Sequence, residues 1–86
     1  MEKYRGFVAI NVDSGEGLNV YNHLKKRPEV SFIYLLAGKY DIMLMAESAT
    51  SESLADFIIQ EVQNTKGVVA TMTGMVLRGE RTAFST

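Results

Sequence analysis

The sequence predicts an α+β fold, a small antiparallel sheet with helices packed on one of its faces. Three observations predict it. Four apolar runs of strand length, rich in β-branched and aromatic residues, recur at residues 7–12, 30–37, 40–47 and 68–77. Two amphipathic stretches with helical spacing lie between them, one ending at Arg27-Pro28 and one at Asn64-Thr65-Lys66-Gly67. The two middle runs are divided only by Gly38-Lys39, a tight connection that reads as a hairpin.

Each element has its own signal. Phe7-Val8-Ala9-Ile10-Asn11-Val12 is a β-branched run that ends in the turn residues Asp13-Ser14-Gly15. Asp13 or Ser14 is placed to cap the helix that follows, with Glu16 in its first turn. From Gly17 to Arg27, Leu18, Val20, Tyr21 and Leu24 are read as the apolar side and Asn19, His23 and Lys26 as the polar one. Pro28 disfavours helical geometry at Arg27 and stops the helix. Lys25-Lys26-Arg27 then forms a solvated, positively charged helix end. After the hairpin, Thr50, Ser51 and Ser53 offer hydroxyl caps and Glu52 an acid before the face Leu54, Phe57, Ile58 and Val62. Glu61 falls at the edge of that face, exposed or touching another subunit. The order is β-α-β-β-α-β, the ferredoxin-like pattern: a four-stranded antiparallel sheet with two helices on one face.

Length and composition narrow the function. Eighty-six residues predict a single domain, residues 1–86, with a core at about 5–78 and a polar tail at 79–86. A chain this short hides only about 60–65% of its unfolded surface, so assembly would help it. Nine Lys and Arg against ten Asp and Glu give a net charge of −1, which supplies no surplus for phosphate backbones. No cysteine is present, which excludes disulfides, thiol catalysis and the usual zinc sites and suits a reducing cytosol. No run approaches a membrane span of roughly 18 apolar residues, so a cytoplasmic protein with no membrane partner is expected.

The sheet carries more apolar surface than two helices can cover. In the first strand Val8, Ile10 and Val12 oppose Phe7, Ala9 and Asn11; in the third, Ile42, Leu44 and Ala46 oppose Asp41, Met43, Met45 and Glu47. In the second, Val30, Phe32, Tyr34 and Leu36 oppose Ser31, Ile33, Leu35 and Ala37. A sheet wet on one side alternates apolar with polar residues, yet the second face keeps Phe7, Met43, Met45 and Met75 or their neighbours. Such a patch marks a contact surface. The expectation is a dimer made by stacking sheet on sheet.

Catalytic chemistry finds little support. His23 is the one histidine and falls on the polar side of its helix, with no second histidine for a metal pair. It is poorly placed to act with Ser14, and no G-x-S-x-G or phosphate-cradling glycine loop occurs. The RNA-recognition motif shares the element order, but its base-stacking strand would here be Tyr40-Asp41-Ile42-Met43-Leu44-Met45-Ala46-Glu47, two acids and no cation. No cofactor is implied. Asp41, beside the hairpin glycine, has two readings. It caps its own turn, or it faces a ligand or partner.

At Gly38-Lys39-Tyr40-Asp41-Ile42 the chain resembles a known family. A helix ending in PEV, the G-x-Y-D-I hairpin and the last run GVVATMTGMVL are similar, over about residues 5–78, to the ligand-binding (RAM) domain of the Lrp/AsnC transcriptional regulators. The resemblance implies the fold above, dimers through the sheets in the manner of dimeric α/β-barrels, and higher assembly such as rings of eight. It implies an amino-acid effector bound where dimers meet, around the hairpin turn. Carried onto this chain, that suggests Gly38, Tyr40 and Asp41, with Thr71 and Thr73 on the last strand. Full-length members begin with a helix-turn-helix domain, whereas only Met1 to Tyr4 precede the first strand here. A stand-alone module is therefore expected, without catalysis or direct DNA contact, acting either alone or by co-assembly with a full-length regulator. The alternative within the same fold is a cofactor-independent monooxygenase or haem-binding enzyme, which would need Asn11, His23 or Tyr34 in a pocket between helix and sheet. The ACT-like amino-acid-binding domain is a neighbouring fold, separable by assembly geometry.

Overall fold

The structure, a computed structural model, describes residues 3–80. Its elements are β1 (Tyr4–Val12), α1 (Gly17–Leu24), β2 (Val30–Leu35), β3 (Ile42–Ser48), α2 (Ser51–Asp56), which runs on into a π-helical segment (Phe57–Val62), and β4 (Val68–Met75). The strands form one antiparallel sheet in the order β2-β3-β1-β4, the ferredoxin-like arrangement predicted from the sequence. The extents are 38 × 32 × 20 Å. The thinnest dimension holds one sheet and one helical layer, at about 10 Å each, and no more.

The core lies between those layers. Val8 and Ile10 of β1 stand opposite Leu44 and Ile42 of β3, and all four are buried. Val20 and Leu24 of α1 and Leu54, Phe57, Ile58 and Val62 of the second helical stretch cover them. Thr50 caps α2 as its sequence suggests: the Ser53 N–H donates to Thr50 Oγ1 at 3.0 Å, and Glu52 occupies the first turn. The helix widens beyond Asp56, where the Gln63 N–H donates to the Ile58 carbonyl five residues back. Glu61 sits half-exposed at the edge of this helical stretch. It pairs with Arg27 Nη2 at 3.2 Å and ties this stretch to the end of α1.

Several local expectations are corrected. α1 ends at Leu24, three residues before Arg27, and its first turn starts at Glu16 without a side-chain cap from Asp13 or Ser14. A backbone turn replaces the cap, the Glu16 N–H donating to the Asp13 carbonyl at 3.0 Å around Gly15, whose φ of 83° suits glycine. Leu18 is exposed, because at about 100° per residue it lies roughly 160° around α1 from Val20. A register shift between Val30 and Phe32 breaks the alternation of β2. Val30 and Ile33 therefore both pack on the core, while Phe32 and Tyr34 stay on the other face. Of the tail, Gly79 and Glu80 are exposed, as is Arg78 before it; residues 81–86 lie outside the described ones.

Candidate functional site

The uncovered face of the sheet is built from the other alternate set. Cross-strand register arranges it in rows. One row runs Phe32, Met45, Phe7 and Gly74; the next runs Tyr34, Met43, Ala9 and Met72. The Phe7 ring lies over Gly74, and a Cβ there would meet it at 3.5 Å, an ordinary van der Waals contact. Phe7, Phe32, Tyr34 and Met72 are 42%, 57%, 58% and 60% exposed, and a shallow apolar dimple opens between Phe7, Phe32, Tyr34, Met43 and Met45. Phe7, Met43 and Met45 lie on this face as expected. Met75 does not; it stands opposite Gly6 on the helix side, and Met72 takes the place given to it.

The hairpin loop closes one end of this face. It is wider than Gly38-Lys39 alone: Ala37 to Tyr40 form the connection, closed by the Leu36 N–H donating to the Asp41 carbonyl at 2.7 Å. Gly38, at φ 143°, permits a course closed to other residues. The N–H groups of Ala37, Gly38, Lys39 and Tyr40 donate to no backbone carbonyl among the described residues. Tyr40 folds back across the sheet, its hydroxyl donating to Met72 Sδ at 3.6 Å, while the Lys39 ammonium stands 5.7 Å from its ring centre.

Asp41 is half-buried, and the geometry shows how its charge is tolerated. β3 pairing with β1 stops at Ile42, which would leave the Val12 N–H without a partner. Asp41 Oδ2 accepts that N–H at 2.9 Å, so the carboxylate extends the ladder by one rung. The partner lies 29 residues away, not in Asp41's own turn. Oδ1 makes no hydrogen bond among the described residues.

Gly38, Tyr40 and Asp41 thus share one loop at the mouth of the open face, with Met72, which sequence reasoning did not single out, as the fourth member. Only strand alternation, once β4 was placed beside β1, would have found it. Thr71 and Thr73 are not gathered with them. They stand opposite Ile10 and Val8, which puts their side chains on the helix side of the edge strand β4. His23 is exposed on the outer side of α1, and Asn11 and Tyr34 belong to the open face, so none of the three lies between helix and sheet. The layer between helices and sheet holds no buried polar side chain, and no group of His, Asp and Glu among the described residues is placed to hold a metal.

A two-layer βαββαβ architecture with a bare apolar sheet face and a polar loop at its rim is shared by many small domains, and the relatives of this chain make its class specific. Residues 5–83 match the family described as the Lrp/AsnC ligand binding domain, and the chain belongs to that family. It is 33% identical over 72 residues to the HTH-type transcriptional regulator FL11 of Pyrococcus furiosus, a match that covers 84% of this chain and 47% of that one. The chain spans about half the length of the curated relatives it matches. Among solved structures, FFRP-DM1 superposes with a TM-score of 0.83 at 24% identity, over 86% of this chain and 99% of that one. The transcriptional regulator NMB0573 of Neisseria meningitidis, in complex with L-Met, gives 0.80 at 19% identity, over 96% and 55%. These two likenesses bear on the fold.

Proposed function

We propose that this protein is a small-effector sensing and assembly module that binds an amino acid at the hairpin loop and joins further copies through its open sheet face. The observation that carries the reading is the pairing of a bare apolar face with Asp41 at its rim, one carboxylate oxygen engaged and the other free. The free oxygen suits a ligand ammonium, and the unpartnered N–H groups at Gly38 and Lys39 suit its carboxylate. Leu36 and Met43 offer apolar contact for its side chain. Thr71 and Thr73, on the opposite side of β4, reach such a ligand only from a neighbouring copy. The relative NMB0573, solved with L-Met, supports an amino acid as the class of ligand.

Residues 1–86 act as one unit in this reading, with no chemistry of their own. Copies pair sheet to sheet, and pairs associate further, as in a ring of eight. The relatives are transcriptional regulators, which supports a cytoplasmic role through co-assembly with a DNA-binding regulator of the same family rather than through direct DNA contact. Among the described residues no helix is long and apolar enough to cross a membrane.

The test is calorimetric titration of the twenty amino acids into the full chain and into Asp41→Asn. The asparagine oxygen keeps an acceptor for the Val12 N–H while the charge is lost. Saturable binding of one amino acid that Asp41→Asn weakens at least tenfold is expected. No binding across the panel overturns the reading.

A further inference from the structure

The opposite end of the sheet from the hairpin holds a second cleft, and its charge is unlike the rest of the molecule. Lys3, Tyr4, Arg5, Glu47, Leu77 and Arg78 surround a cavity of about 690 Å³. Its floor is fixed by strand pairing: Tyr4 stands opposite Ser48, Arg5 opposite Glu47, and the Val76 N–H donates to the Arg5 carbonyl at 2.8 Å. Three of the nine Lys and Arg of a chain with net charge −1 converge there. None of the three forms an ion pair among the described residues, although Glu47 is directly across from Arg5; the ion pairs found both belong to Arg27. Among the described lining residues three cations stand against one carboxylate, and a cleft with an excess of one sign of charge concentrates counter-ions.

The shape and chemistry narrow the ligand. The volume falls within the roughly 300–1,000 Å³ of small-molecule sites. Two arginines, each a planar fork of donors, suit phosphate oxygens better than they suit a single carboxylate. A duplex nucleic acid would call for a basic stripe along a face, and the cations here are confined to one end. We infer that this cleft binds a small phosphate-bearing metabolite, with Arg5, Arg78 and Lys3 on the phosphates. The site is separate from the hairpin loop and stands independently of the amino-acid reading.

The experiment is calorimetry on the full chain at low salt with inorganic pyrophosphate and ADP as probes, on the wild type and on Arg5→Gln and Arg78→Gln. Both side chains are exposed, so the fold is expected to survive. Saturable binding of both probes is expected, weakened at least tenfold by either arginine substitution and unaltered in Asp41→Asn. Absence of saturable binding, binding indifferent to Arg5 and Arg78, or binding of duplex DNA with none of pyrophosphate would each overturn the inference. The amino-acid response reads on Asp41 alone, so either site can fail without the other.

Discussion

Phe32→Ala tests the sheet face as an interface. Phe32 is 57% exposed at the end of its row, beside Met45. An aromatic side chain presents about 150–250 Å² when fully bare, so roughly 85–140 Å² of Phe32 is available to a partner. At about 25 cal/mol per Å², covering it contributes roughly 2–3.5 kcal/mol. In a two-fold dimer the substitution is made twice, so the total loss is about 4–7 kcal/mol, or on the order of 10³–10⁵ in the dissociation constant. Sedimentation velocity from nanomolar to high micromolar protein reads that shift directly. The monomer itself should lose little, since so much of the ring is already in water. A variant whose dimer dissociates at the wild-type concentration would refute the placement of Phe32 in the interface, and with it the account of the bare face.

Three further outcomes follow from local geometry. Asp41→Ala leaves the Val12 N–H unpaired and should cost about 1–3 kcal/mol in urea unfolding, whereas Asp41→Asn should cost clearly less. Gly67→Ala places a Cβ 3.1 Å from Glu16 Cβ and Val20 Cγ2 at a φ of 98°, so a loss above about 1 kcal/mol in the same assay is expected. Thr50→Ala removes the cap of α2 and should lower stability by about 0.5–2 kcal/mol, with Thr50→Ser retaining most of it.

The element order was legible in the sequence because it rests on local periodicity. Val8, Ile10, Ile42 and Leu44 repeat every second residue; Val20 with Leu24, and Leu54 with Ile58, repeat every fourth. What escaped local reading depends on contacts between distant residues or on irregular backbone. The shift at Val30/Phe32 puts two residues of β2 on the core side against simple alternation. Leu18 was counted as apolar lining although the wheel turns it away from Val20. The loop's G-x-Y-D-I pattern pointed to Gly38, Tyr40 and Asp41, but not to their partners. Val12 lies 29 residues from Asp41, and Met72 lies 32 from Tyr40. Those bonds exist only once β1 lies between β3 and β4.

The most direct test of a ligand-responsive assembly is native mass spectrometry of the full chain, with and without each amino acid. The account predicts assemblies built from even numbers of copies, with one amino acid retained in them or shifting their distribution, and that response lost in Asp41→Asn. A stable monomer at micromolar concentration, or a distribution unmoved by every amino acid, would contradict it.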